Sequence, residues 1–269
     1  MRPLLTSVVR QQQARILTRS QQLSEQQYGR EELYDKRTSF ICLFARHHAP
    51  LTAGQGQHDK NIIRMEYKFY YFPGRGLGEI SRQLFALAGV KYEDIRVSKE
   101  HWPQYKPKMP FEQMPVLEVD GQQIPQSLAI ARYLARKFGY AGKTPYEEAI
   151  VDAIADQYKD FYVQIKEYYY PALGLAEGDV EAAKKNILIP ARDRFLGYMT
   201  NYLKKSSSGF LAGNDLTYAD LIIAEHVFTM RSVFPEYTEG FPEIEAHYEK
   251  VTSVPALKHW METRPKTQF

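Results

Sequence analysis

QMPVLEVDGQQIPQSLAIARYLARKF, residues 113–138, is the stretch that decides the fold. Val116 to Val119 alternates around β-branched valines, Asp120-Gly121 is a two-residue hairpin signal, and Gln122 to Ile124 returns as a second short strand. Gln126-Ser127 then opens a helix whose apolar residues Leu128, Ile130, Ala131, Leu134 and Phe138 recur at helical spacing. Two features go beyond packing. Met114-Pro115 puts a proline at the start of a strand, where its missing N–H is tolerated and a cis bond is accessible. A cis bond there turns the N–H and C=O of Met114 outward, toward an extended peptide. Ser127 stands where an N-cap belongs, so the amides of that helix end suit a carboxylate in the same cleft. Together they suggest a small, acidic, peptide-like ligand; the plain alternative is an ordinary hairpin followed by a capped helix.

Upstream, Tyr67 to Phe72 (YKFYYF) reads as an aromatic strand and Pro73 to Gly78 as a turn. Glu79 to Gly89 reads as a helix with a glycine stop, and Tyr92 to Val97 as a second strand. The glycines of GRGLG fit neither GxGxxG nor GxxxxGK[ST], which argues against a nucleotide loop. Lys99 to Met109, with Trp102 and Lys106, reads as irregular. A β-α-β unit requires a parallel pair, to which the hairpin adds antiparallel strands. With a proline opening the third strand, residues 65–142 outline an α/β, thioredoxin-like N-terminal domain.

Gly139 to Pro145 is a short linker, and beyond it no strand pattern appears. Glu147 to Tyr170 reads as one long helix ended by Pro171, with Ile150, Ile154, Phe161 and Ile165 on one face. Another helix starts at Gly178-Asp179 and runs to about Lys205, with Pro190 predicting a kink. Thr217-Tyr218-Ala219-Asp220 is a capping box, and two short helices close the chain near Pro242–Thr252 and Pro255–Thr263. Residues 147–269 thus read as an all-α C-terminal domain.

At 269 residues the chain can hold two modest cores. Residues 1–64 carry ten of the 35 Lys/Arg and five of the 32 Asp/Glu, which leaves 25 against 27 and no basic footprint for nucleic acid. The first 64 residues are Gln- and Arg-rich without periodicity, and their first acid is Glu25. They read as a presequence of mitochondrial type, as a disordered tail, or as an upstream extension, since Met65 stands where the ordered pattern begins. Cys42 is the only cysteine, which excludes an intrachain disulfide and a thiolate metal site. The histidines lack ligand spacing and no apolar run reaches the roughly 18–20 residues of a membrane helix, so neither metal nor membrane is expected. A soluble intracellular protein is the expectation.

A thioredoxin-like domain without a cysteine cannot exchange dithiols, so a thiol must arrive with the ligand. Tyr71 ends the first strand and faces the turn. A phenol O–H donated to a bound thiol favours the thiolate. A thiol of pKa about 8.5 is only a few per cent ionised at pH 7. A charge-assisted hydrogen bond of roughly 1.5–3 kcal/mol lowers that pKa by about one to two. In a chain this rich in tyrosine, Tyr71 also reads as a packed aromatic.

YKFYYFPGRGLGEISRQLFALAG, HWPQYKPKMPFEQMPVLEVDGQQIPQSLAIARYLA, GNDLTYAD and the terminal RPKTQF together resemble the sigma-class glutathione transferases, including the haematopoietic-type prostaglandin D synthases. The resemblance spans residues 66–269 and implies the glutathione transferase fold. It implies Tyr71 as the thiol-activating phenol, and Trp102 and Lys106 at the glycyl carboxylate of glutathione. It implies Gln113 and Met114 beside cis-Pro115 at the cysteinyl unit, and Gln126 and Ser127 at the γ-glutamyl carboxylate. Asp152, Asp156 and Asp160 recur every four residues and read as a solvated face. In the resembling family, however, the aspartate matching Asp160 reaches across a dimer interface, which implies a homodimer. Phe72, Gly74, Leu77, Tyr162, Ile222, His226 and Phe269 match positions lining the second-substrate pocket; those on helices read equally as core. Leu77 stands where the prostaglandin synthases have a second arginine, and their pocket tryptophan falls on or near Glu167. Both departures weaken an isomerase reading.

The expected function is conjugation of the glutathione thiolate to apolar electrophiles, with glutathione as co-substrate and no metal. The alternatives are a glutathione-requiring, prostaglandin D-type isomerase and a non-catalytic relative of the crystallin type. The expected compartment is the cytoplasm, or the mitochondrion if residues 1–64 are translated and act as a presequence.

Overall fold

The computed structural model describes residues 65–267 and 269. The readings of residues 1–64, Cys42 included, lie outside the described residues. Four strands, β1 (Tyr67–Tyr71), β2 (Glu93–Arg96), β3 (Val116–Val119) and β4 (Gln122–Pro125), form a sheet in the order β2-β1-β3-β4. β1 and β2 are parallel, Phe69 opposite Asp94; β3 is antiparallel to both β1 and β4. This is the thioredoxin-like arrangement the pattern predicts. The β3–β4 turn works because Asp120 (φ 48°) and Gly121 (φ 81°) both take positive φ.

Helix α1 (Glu79–Ala88) ends on Gly89 in the left-handed conformation, as its glycine stop predicts. The stretch expected to be irregular holds a short helix, α2 (Trp102–Tyr105), and a 3₁₀ turn at Lys106–Lys108. Pro103 at the second position is tolerated there because that N–H is free of intrahelical bonds anyway. Helix α3 (Ser127–Phe138) starts one residue earlier than its cap assignment predicts: Gln126 is the N-cap and Ser127 the first helical residue. The cause is backbone, since Gln126 carries φ 74° and ψ 120° and its carbonyl accepts the Ile130 N–H at 2.9 Å. Phe69, Leu84, Leu117, Ile130 and Leu134 are fully buried between sheet and helices.

The single helix expected over 147–170 is two: α4 (Pro145–Gln164) and α5 (Lys166–Ala172). Tyr168 and Tyr169 are neighbours in sequence and both buried, which the one buried stripe of a straight α4 does not provide; the chain breaks at fully buried Ile165 to redirect them. Pro171 accordingly lies inside α5 rather than ending the helix. Asp179 caps α6 (Val180–Ala183) by accepting the Ala182 N–H at 2.9 Å. A π-helical stretch, Lys184–Leu188, leads into α7 (Ile189–Lys205). Pro190, where the sequence predicts a kink, falls at the second position of α7 directly after this wide turn, where a missing N–H is tolerated. α8 (Tyr218–Arg231) carries the predicted capping box, followed by α9 (Pro242–Thr252) and α10 (Pro255–Thr263). α8 is buried nearly all round and forms the centre of the helical part. Phe161 and Phe195 stack at 4.3 Å between α4 and α7. Among the described residues, no helix is long and apolar enough to cross a membrane, and no His/Cys/Asp/Glu group could hold a metal.

Candidate active site

Tyr71 is the last residue of β1, and the following turn wraps its ring. The Leu77 N–H donates to the Tyr71 hydroxyl at 3.0 Å. Gly76 and Gly78 form the floor: a Cβ at Gly76 would stand 2.7 Å from the hydroxyl, and one at Gly78 2.4 Å from the ring. The glycines of GRGLG therefore make room for a phenol, not a phosphate. Arg82 lies 5.7 Å from the centre of that ring and is anchored by Asp94 and the Gly74 carbonyl. Burial raises the Tyr71 pKa, against the smaller opposing effects of the Leu77 N–H and Arg82. The phenol keeps its proton, and among the described residues that proton has no acceptor.

Two adjoining cavities share Leu77 and Ser127. The first gathers Gln113, Met114, Pro115, Gln126 and Ser127, five of the expected site residues, with Leu77, Phe111 and Lys159 beside them. The Met114–Pro115 peptide bond is cis. Among the described residues, three besides glycine have positive φ, and two of them, Glu112 and Gln126, flank this cleft. Such strained backbone concentrates where a ligand is held. No side chain caps the start of α3, so its first amides are open.

Trp102 and Lys106 do not line this cleft: Trp102 packs edge-on against Phe72 at 5.6 Å, and Lys106 pairs with Glu112 at 3.8 Å. Of the acidic row, Asp152 and Asp156 are spent on Arg132 of α3, while Asp160 is exposed and outside the cleft.

The second cavity brings together Leu77, Tyr162, Ile222 and His226 of the expected pocket, with Tyr158, Tyr169 and Glu225. Phe72, Gly74 and Phe269 are not in its lining. A Cβ on Gly74 would meet the Phe269 carbonyl oxygen at 2.9 Å, so these two belong to a contact between the C-terminus and the turn. Glu167, on α5, is exposed. His226 is locked between Tyr237 (2.7 Å) and Tyr158 (3.5 Å), and burial pushes its pKa down to about 3, so it is a neutral wall residue.

Glu225, in the wall of the second cavity, belongs to a buried ionic cluster that sequence reading missed. Glu225 accepts from Arg75 (2.7 Å), Arg264 (2.8 Å) and Gln83 (2.8 Å), and Arg264 also reaches Glu79 (2.7 Å). Burial, then the nearby Glu79, pushes the Glu225 carboxyl above its usual range against the pull of the two arginines. The available signal was one acid inside the apolar run LIIAEHVF. Tyr158 and Tyr169 carried no such mark among 20 tyrosines.

Residues 65–136 match the glutathione S-transferase N-terminal domain family and residues 159–264 the glutathione S-transferase C-terminal domain family. A curated Caenorhabditis elegans relative, "Probable glutathione S-transferase 5", is 50% identical over 76% of this chain and 100% of its own. The chain belongs to the glutathione S-transferase family. Among solved structures of that family, a Nu-class enzyme from Haemonchus contortus is 54% identical with a TM-score of 0.72. Monomeric Na-GST-3 from the hookworm Necator americanus is 56% identical, with a TM-score of 0.74. A rat hPGDS bound to a quinoline is further away, at 34% identity and a TM-score of 0.68. Each structure is covered in full and covers 76% of this chain.

Proposed function

We propose that this protein binds glutathione, ionises its thiol through Tyr71, and adds the thiolate to an apolar electrophile in the cavity lined by Leu77, Tyr162, Ile222 and His226. The carrying observation is the Tyr71 proton. Its hydroxyl oxygen takes the Leu77 N–H, its pKa is raised, and no described residue accepts its own proton. A neutral phenol in that state is a donor, and it favours whichever form of the ligand sulfur accepts more strongly, the thiolate. In the adjoining cleft, Gln126, Ser127 and the open start of α3 suit the γ-glutamyl carboxylate, and Met114 the cysteinyl backbone. Trp102 and Lys106 suit the glycyl carboxylate once Lys106 exchanges Glu112 for the ligand.

The test is conjugation of 1-chloro-2,4-dinitrobenzene. Tyr71→Phe is expected to lose roughly tenfold to a hundredfold in kcat/KM, the rate equivalent of a 1.5–3 kcal/mol hydrogen bond. Unchanged turnover in that variant refutes the mechanism.

Within the family we read the site as sigma-type, on the motifs around Tyr71 and Met114-Pro115. Likeness to rat hPGDS favours a second reading, isomerisation of prostaglandin H2, against which Leu77 and Glu167 speak. Absence of a D-type product would end it. Asp160, exposed on α4, fits a homodimer in which it serves the neighbouring site. Sedimentation at the mass of one 31.2 kDa chain, as in a monomeric enzyme, would overturn that. The proposed compartment is the cytoplasm, with detoxification as the role. The N-terminal peptide of the isolated protein checks it, since a chain starting before Met65 favours the mitochondrion.

A further inference from the structure

The cleft that holds Gln113, Met114, Gln126 and Ser127 has one formally charged residue in its lining, Lys159 of α4. It comes from the helical part of the molecule and shares the cleft with the segment leading into β3, the end of β4 and the start of α3. Its neighbours on α4 are otherwise engaged: Asp152 and Asp156 bind Arg132, and Tyr158 and Tyr162 wall the adjoining cavity. Lys159 itself is half-buried and, among the described residues, makes no ion pair or hydrogen bond. Within one protomer, a lysine held over this apolar and amide-lined cleft has no counter-charge, and an anionic ligand entering the cleft is its electrostatic complement. The uncapped amides of α3 across the cleft act in the same sense, because the start of a helix favours negative charge.

We infer that Lys159 is an anion-contact residue of this cleft, supplying from the helical part the charge that Gln113, Gln126 and Ser127 cannot. This rests on the reading of the cleft as a glutathione site. Two anions of that tripeptide share the required chemistry, a carboxylate and the ionised sulfur.

Calorimetric titration of the full chain with glutathione and with S-methylglutathione, whose sulfur cannot ionise, separates them. Lys159→Met keeps the stem and removes the charge, and because the side chain is half-exposed the variant is expected to unfold at the same urea concentration as wild type. The expected result is a Kd raised about fivefold, the equivalent of ~1 kcal/mol. The loss shrinks at high salt, and Lys159→Arg binds as wild type. An equal loss for both ligands assigns the lysine to a carboxylate; a loss confined to glutathione assigns it to the sulfur. Wild-type Kd for both ligands in Lys159→Met at low salt overturns the inference while leaving the glutathione site standing. Failure of the wild-type protein to bind either ligand overturns both.

Discussion

Tyr71 can serve as a donor only because its ring has somewhere to lie. A methyl group on Gly78 would stand only 2.4 Å from that ring, and one on Gly76, at φ 39°, only 2.7 Å from its hydroxyl. Gly78→Ala is therefore expected to displace the phenol and cut kcat/KM by about tenfold or more, as small misplacements of reacting groups do. Glutathione affinity, read by calorimetry, is expected to change far less; equal turnover in Gly78→Ala would contradict the packing account. His226 makes a different prediction. Its pKa falls from 6.5 to about 3, so between those values the unfolded chain binds a proton that the folded chain refuses. The stability it contributes is complete above pH 6.5 and is lost as pH falls toward 3. Urea midpoints of wild type and His226→Gln, measured from pH 7 to pH 4, are expected to differ in slope, with the variant flatter. At this scale the sequence named Tyr71 and the amide-lined cleft but not Lys159, Tyr169 or Glu225. Nothing in a single residue's identity says which side of a helix another element will cover.

Elements were legible where their signals are local. The hairpin at Asp120-Gly121, the stop at Gly89, the helix start at Asp179 and the cap at Thr217 all appear where their residues predict. Asp220 shows how much one such signal can carry. Its carboxylate takes the Thr217 N–H, the Thr217 hydroxyl, the Leu211 N–H and His247, each at 2.8–2.9 Å, and it is fully buried. Asp220→Ala is expected to cost about 3 kcal/mol or more, since several donors lose their charged acceptor at once. A urea midpoint within error of wild type would refute that. The errors have a common origin. The split of 147–170 into α4 and α5, and the shift of the α3 cap to Gln126, answer to burial of Tyr168 and Tyr169 and to a strained cleft residue, which helical periodicity does not encode.

At the scale of the molecule, the sheet part and the helical part are joined by charge as well as by apolar contact. α1 contributes Glu79 and Gln83, the turn after β1 contributes Arg75, α8 contributes Glu225, and Arg264 follows α10. Glu225→Ala would leave two buried arginines facing one another and is expected to destabilise by about 3–5 kcal/mol. Glu225→Gln, which keeps the hydrogen-bonding shape, is expected to lose less; equal losses would refute the charge argument. By itself the sequence determined the order of the strands, the hairpin turn, the Gly89 stop, the Thr217 cap and the phenol at the end of β1, because those depend on residues a few places apart. Only the tertiary structure decided which side chains share a cleft, and it paired Arg75 with Glu225 across 150 positions. Partners so distant meet through packing of whole faces, and that packing is a property of the assembled chain rather than of any one stretch of it.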